Sequence, residues 1–289
     1  MEMVATAKTK KMTDRVSASR PYGEKIAELV TGLSGLKSVV SSPYLRSAEK
    51  VKRVALLIVT ADRGLCGGYN SNTLKLARRR IEKYRSENVE LDIYIVGKKG
   101  AGYFKFLKIP VKKSYTGFDD KFEFSRADEM AQFFMDEFAA ERIDRFETVS
   151  TVYYNSVRQV PEVLGILPVG KGEAVVASDN EIVDGKTVQE AVLGKPHPEQ
   201  SAAYVPNTIY EPEPEVILTN LLPLVVKTLV YRSLLEAITS EQIARRVAMK
   251  NASDNAAEMS RVLGRHYNRV RQAAITQELS EIVAGADAI

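Results

Sequence analysis

Residues 55–72 read ALLIVTADRGLCGGYNSN. They continue an apolar run at residues 54–59, which is typical of a strand buried on both faces of a sheet. The glycine-rich stretch at residues 64–68 then predicts a tight turn, because glycine adopts backbone angles that other residues avoid. A basic amphipathic helix is predicted next, over about residues 71–84. Strand, turn and helix in this order indicate an α/β unit.

The same rhythm continues along the chain. Four more strands and one more helix are predicted, the strands at residues 91–96, 148–154, 159–167 and 173–177 and the helix at residues 125–142. Residues 178–206 are rich in glycine and proline and are predicted to be a loop. We therefore expect residues 52–205 to form a Rossmann-like domain with a mainly parallel open sheet that binds no nucleotide.

Both ends of the chain are predicted to be helical. Residues 1–42 carry apolar side chains at three- and four-residue spacing. Residues 208–286 carry an apolar stripe that gives way to alanines after Val247. About seventy helical residues would extend roughly 105 Å, which a domain of this size cannot bury. We expect the two helices to pair as an antiparallel coiled coil, giving an α/β domain inserted between two long terminal helices.

The composition sets limits on function. The chain has 289 residues, a net charge of +4 and a single cysteine, Cys66, so it can form neither an internal disulfide nor a CxxC metal site. The excess of positive charge lies near the two ends, which favours an acidic partner surface. The most apolar segment, residues 216–235, contains too many polar side chains for a membrane span, and the chain is expected to be soluble.

The glycine-rich turn occupies the place of a phosphate loop in dinucleotide-binding folds, but its spacing is G-x-x-G-G instead of G-x-G-x-x-G. The second strand ends in Gly97, Lys98 and Lys99, without the acid that would hold a ribose. Residues 97–102 (GKKGAG) lack the Lys-Ser/Thr of a P-loop. An NADP-binding oxidoreductase with a helical arm stays open as one alternative, and a basic coiled-coil adaptor for nucleic acid as another.

No catalytic, cofactor-binding or metal-binding residue is predicted, and no cofactor is expected. His197 and His266 have no metal-ligating neighbours at useful spacing. Cys66 has no local histidine and is expected to be a buried small side chain. Asp119 and Asp120 are expected to be solvated loop residues.

Three motifs together resemble one family. The turn DRGLCGG, residues 62–68, the opening MEMVATAK with SRPY at residues 19–22, and the tail at residues 232–259 and 269–286 are similar to the gamma subunits of F-type ATP synthases. The resemblance covers essentially the whole chain. Members usually carry a further stretch before the position that matches Met1, and we expect a start codon assigned too late. A chain truly beginning at Met1 would leave the tail near residues 275–282 without a helical partner.

The resemblance implies a non-catalytic rotor shaft. The two terminal helices would turn inside a ring of alpha and beta subunits, and the α/β domain would meet the epsilon subunit and the c ring at the base. The chain would transmit torque in a proton-transporting complex, as a peripheral protein on the cytoplasmic face of a bacterial inner membrane. Neither nucleic acid nor a small-molecule substrate is expected as a partner.

The family pattern also implies positions that contact the alpha/beta ring. These are Arg245, Asp254, Arg271, Gln272, Thr276 and Glu278. The other interpretation of these residues is a solvated helix face. In the same way, the alanine-rich stretch fits either a sliding surface or ordinary coiled-coil packing.

Overall fold

The computed structural model describes residues 1–35, 42–46, 48, 50–169, 173–178, 181–182, 186–187, 211 and 213–286. In chain order the helices and strands are α1 (Glu2–Gly35), β1 (Arg53–Val59), α2 (Tyr69–Ser86), β2 (Glu90–Val96), α3 (Lys98–Phe106), β3 (Lys113–Tyr115), α4 (Phe124–Ala139), β4 (Arg145–Tyr153), β5 (Gln159–Leu167), β6 (Glu173–Ser178), β7 (Glu181–Ile182), β8 (Lys186–Thr187) and α5 (Pro214–Ala286), with a short 3₁₀ turn at Pro43–Leu45.

The strands form one mixed sheet in the order β3-β2-β1-β4-β5-β6-β7, with β8 also paired to β6. The pairs from β3 to β4 are parallel, whereas β4–β5, β5–β6 and the pairs that follow are antiparallel. The expectation of a mainly parallel sheet therefore holds only from β3 to β4. The connection at residues 154–158 is too short for a crossover, so β5 must return antiparallel to β4.

The apolar run at residues 54–59 forms the centre of the sheet. β1 lies between β2 and β4, and every side chain from Val54 to Val59 is buried. Because strand side chains alternate between faces, Leu56 and Ile58 pack with α2 and α3, whereas Leu57 packs on the opposite face. That opposite face is covered by α1, α4 and α5.

The two long terminal helices are present and pack on the same face of the sheet. Met12 and Val16 of α1 share one core with Leu229 and Ile238 of α5. Helix α5 has 73 residues, which corresponds to roughly 110 Å. It is largely buried from Leu218 to Ile243, and every described side chain from residue 251 to residue 285 is exposed.

Some elements differ from the sequence-based expectation. The sequence predicts neither α3 nor β3, and it predicts a loop where β7 and β8 form short strands. The rest of the predicted loop at residues 178–206 and the predicted domain boundary near residue 205 lie outside the described residues. Within the described part of the chain, no helix combines the length and apolar character needed to cross a membrane.

Candidate functional site

The turn between β1 and α2, residues 60–68, packs directly against α5. Ala61, Cys66 and Tyr69 form a small apolar cluster with Ala244. Cys66 is buried, as expected from the sequence, and burial followed by the charge of Glu241 raises the pKa of its thiol. The β1–α2 turn is thus part of a joint between the sheet and the long helix.

Arg245 forms the polar contacts between the β1–α2 turn and α5. Its Nη2 atom lies 2.6 Å from Glu241 Oε1 and donates to the carbonyl oxygens of Arg63 and Gly64, both at 3.4 Å. Burial raises the pKa of the Glu241 carboxyl, and Arg245 opposes that shift by stabilising the charged form. The residue expected to contact a ring therefore has partners within its own chain.

Gly97 and Gly100 allow the residues after β2 to pack closely against Thr60, directly after β1. A Cβ at Gly97, whose φ is +97°, would lie 2.2 Å from the carbonyl oxygen of Thr60. A Cβ at Gly100 would lie 2.6 Å from the Thr60 hydroxyl, which accepts the Gly100 N–H at 3.0 Å. These contacts explain Gly97 and Gly100 without a phosphate ligand, and Ala244 of α5 packs against the neighbouring turn where a dinucleotide fold would bind its cofactor.

Asp62 joins two loops that are distant in sequence. Its Oδ1 accepts the N–H of Lys98 at 3.0 Å, at the start of α3, and its Oδ2 accepts the N–H of Gly117 at 2.7 Å. The sequence pattern gives Asp62 no role beyond its place in the DRGLCGG motif. An aspartate directly before the N-terminus of a helix would be a capping signal, but here the capped helix begins 36 residues later.

Asp120 is buried and paired, and the expectation of a solvated loop aspartate is wrong for this residue. Its Oδ1 lies 2.5 Å from Lys8 Nζ and its Oδ2 lies 3.9 Å from Lys11 Nζ. Arg15 donates to the backbone carbonyls of Asp120 at 3.2 Å and Phe122 at 2.6 Å. The loop at residues 116–123 is therefore fastened to α1.

The Lys8–Asp120 pair predicts a pH-dependent contribution to stability. Burial alone would raise the pKa of Asp120, but Lys8 and Lys11 lower it below its ordinary value of 3.8. A lowered pKa stabilises the folded chain above that value, and the contribution disappears as the pH falls through the folded pKa. We expect Asp120→Asn to cost about 1 kcal/mol of unfolding free energy near neutral pH and nothing in strong acid.

Urea unfolding at a series of pH values would measure this difference. Asp119→Asn is the control, because Asp119 is exposed and asparagine keeps the oxygen that accepts the Lys121 N–H. A cost for Asp120→Asn that is the same at all pH values would contradict the ion-pair explanation.

The other five predicted contact positions lie on the exposed half of α5. Asp254, Arg271, Gln272, Thr276 and Glu278 are all exposed, and the Thr276 hydroxyl donates to the Gln272 carbonyl at 2.9 Å. The first and last are about 36 Å apart along the helix, so the set is an extended surface rather than one pocket. Asp254, Gln272 and Thr276 share one side of the helix, since 18 residues make about five full turns.

Large apolar side chains also stand on this exposed half. Met259, Leu263, Tyr267 and Val270 follow one another at three- and four-residue spacing and are 54–65% exposed. Such a stripe on a protruding helix indicates a surface for another protein. His266 lies on the same half, and His197 lies outside the described residues. No group of three or more potential metal ligands occurs among the residues that the structure describes.

The whole chain, residues 1–289, matches the ATP synthase family. The ATP synthase gamma chain of Leptospira biflexa is 46% identical over 289 residues, covering 100% of this chain and 92% of that protein. The ATP synthase gamma chain of Ruthia magnifica is 36% identical with the same coverage. These matches give no support to the oxidoreductase or the nucleic-acid adaptor.

Solved structures of two ATP synthases share the fold. A chain of the Tetrahymena thermophila mitochondrial ATP synthase central stalk and c ring superposes with a TM-score of 0.57 at 22% identity, covering 88% of this chain and 97% of that one. A chain of the Euglena gracilis mitochondrial ATP synthase gives a TM-score of 0.55 at 18% identity, covering 98% and 95%.

Proposed function

The chain belongs to the ATP synthase gamma-chain family, and from this we propose that it is the central rotor stalk, carrying torque between a membrane c ring and a catalytic hexamer of alpha and beta subunits. It is a non-catalytic subunit. The observation that carries the proposal is the exposure of α5 from residue 251 to residue 285. This exposed stretch would gain stability by packing against other chains, because most helical stability in proteins comes from tertiary packing.

We propose that α1 and α5 run antiparallel as a coiled coil. One contact and one longer-range electrostatic interaction support this direction. Arg15 Nη2 donates to the Tyr231 hydroxyl at 3.3 Å, whereas Lys8, earlier on α1, acts electrostatically on Glu241, later on α5. Met12 and Val16 of α1 are fully buried, as residues in the seam of a coiled coil are.

The proposed partners are those that the gamma-chain family implies, and their positions are proposed from the exposure of α5. Its exposed half, with Asp254, Arg271, Gln272, Thr276 and Glu278, would lie inside the alpha/beta ring. Arg245 would lie where α5 leaves the sheet domain. It would bind the β1–α2 turn, and its exposed part would face the ring. The sheet domain would meet the epsilon subunit and the c ring, as a peripheral protein on the cytoplasmic face of a bacterial inner membrane.

Reconstitution tests the proposal. ATP hydrolysis should require this chain together with alpha and beta subunits from one host. We expect Gln272→Ala to lower that activity about two- to tenfold, since the loss of one hydrogen bond costs about 0.5–1.5 kcal/mol. Co-purification of the three subunits would report assembly separately from activity.

Gln277→Ala is the matched control for Gln272→Ala. Both residues are exposed glutamines on α5, but they point about 140° apart around the helix. The control should leave hydrolysis close to that of the unchanged chain. Equal effects of the two substitutions would contradict the proposed contact face, and failure of the unchanged chain to join the alpha and beta subunits would overturn the proposed function.

A further inference from the structure

Two loops hold the pair of long helices from two sides. The β1–α2 turn, residues 60–68, holds α5 through Arg245. The loop at residues 116–123 holds α1, because Lys8 pairs with the Asp120 carboxylate and Arg15 donates to backbone carbonyls of that loop. The β1–α2 turn therefore binds α5, whereas the loop at residues 116–123 binds α1 and also contacts α5, where Phe122 stacks on Tyr231.

Asp62 connects these loops to each other. It lies in the β1–α2 turn and accepts the Gly117 N–H of the other loop at 2.7 Å. Its second oxygen accepts the Lys98 N–H at 3.0 Å, which fixes the carboxylate to the start of α3. Arg126 anchors the second loop by donating to the carbonyls of Gly117 at 2.6 Å and Thr116 at 2.9 Å. We call the β1–α2 turn, Asp62 and residues 116–123 the collar.

The collar adds directional contacts between the long helices and the sheet domain. The contacts of α1 and α5 with the sheet are mainly apolar, and the hydrophobic effect has no preferred direction. Hydrogen bonds are directional, because they weaken steeply when the donor and acceptor rotate out of line. Ser233 and Ser240 of α5 already form such bonds with β4, to the Ser150 hydroxyl at 3.0 Å and the Thr151 carbonyl at 3.4 Å. Because each loop is attached to the sheet domain, a direct link between the loops adds further resistance to rotation of the helix pair.

We propose that Asp62 is a positioning residue that joins the two loops into one collar and thereby fixes the helix pair against rotation relative to the sheet domain. It contacts neither long helix through a hydrogen bond of its carboxylate, and acts through Arg245 on one side and Lys8 and Arg15 on the other. Its role in torque transfer rests on the function proposed above. The collar itself is a property of the single chain.

Amide hydrogen exchange on the isolated chain tests the collar. In Asp62→Ala we expect the Gly117 amide to exchange about tenfold faster, the change expected from loss of a hydrogen bond to a charged group. The Phe122 amide, which donates to the Asp119 carbonyl at 3.0 Å within the same loop, should also exchange faster because the loop loses its anchor. Asp14→Ala, on an exposed part of α1, should change neither amide.

Coupling in the assembled complex tests the mechanical role. The complete ATP synthase, in vesicles, would carry either the unchanged chain or Asp62→Ala, and ATP hydrolysis and proton transport would be measured together. We expect hydrolysis to stay within about twofold and the ratio of transport to hydrolysis to fall about fivefold. Asp62→Asn keeps one acceptor oxygen and should give an intermediate ratio, and it serves as the second variant if Asp62→Ala fails to fold.

The outcomes separate the two proposals. If the unchanged chain neither assembles nor supports transport, the proposed function fails, while the exchange measurement still decides whether the collar exists. Unchanged exchange at Gly117 and Phe122 in both Asp62 variants would overturn the collar. Faster exchange with an unchanged transport ratio would overturn its role in torque transfer.

Discussion

Gly97→Ala is expected to destabilise the sheet domain by more than about 3 kcal/mol, a large part of the roughly 5–15 kcal/mol that holds a protein of ordinary stability folded. The substitution combines a φ of +97° with a Cβ placed 2.2 Å from the Thr60 carbonyl oxygen. The obstructing atom belongs to the backbone of Thr60, the residue directly after β1, so no side-chain rotation can relieve the clash. Urea unfolding and the soluble yield would measure the effect.

Gly102→Ala is the matched control. Gly102 lies in α3, five residues further on, and a Cβ there would meet no atom within 4 Å. Alanine favours a helix over glycine, so this variant should be more stable than the unchanged chain by about 0.5–1 kcal/mol. A Gly97→Ala chain that unfolds at the same urea concentration as Gly102→Ala would contradict the packing described for the ends of β1 and β2.

Arg80→Met is expected to cost about 3–5 kcal/mol, because it leaves the Glu147 carboxylate buried without its main partner. Arg80 and Glu147 side chains are 4% and 1% exposed and lie 2.6 Å apart. The Tyr84 hydroxyl donates to the same carboxylate at 2.5 Å, and burial, then the Glu147 charge, raises the pKa of Tyr84. Arg145 lies at 3.5 Å from the carboxylate and cannot replace a paired guanidinium at 2.6 Å.

Two further variants separate the charge from the loss of packing. Arg80→Met combined with Glu147→Leu should recover most of the lost stability, because it removes the uncompensated charge and keeps the volume apolar. Arg79→Met, at the exposed neighbouring position, should change the unfolding free energy by less than about 0.5 kcal/mol. If the double variant were no more stable than Arg80→Met, burial of an unpaired charge would not be the cause.

The sequence predicted those elements whose signal is long or strongly apolar. The run at residues 54–59 and the helix after it are present close to their expected bounds, and the two terminal helices are present over Glu2–Gly35 and Pro214–Ala286. Helix α3 was missed because its GKKGAG start has the composition of a turn, and the three residues of β3 are too few for a periodic pattern. The direction of β5 was missed because an apolar strand pattern does not encode whether its neighbour is parallel.

The collar could not be predicted for a different reason. Asp62 and Gly117 are 55 residues apart, and Lys8 and Asp120 are 112 residues apart, so neither pair leaves a pattern in local spacing. The link between Glu241 and Arg245 is local, four residues along a helix, and is readable from the sequence. The carbonyl partners of Arg245 are 181 and 182 residues away and cannot be read from the sequence.

The position of α5 at the end of the chain has a consequence for biosynthesis. The sheet face that carries Leu57 and Phe146 is covered in part by residues 218–238. During synthesis these residues leave the ribosome after the strands of the sheet, so the face is covered only then. At about 5–20 residues per second, the roughly 50 residues between β5 and the buried part of α5 take about three to ten seconds to appear. During that interval the nascent chain presents an apolar surface to the cell, and cotranslational chaperones have their opportunity to bind there.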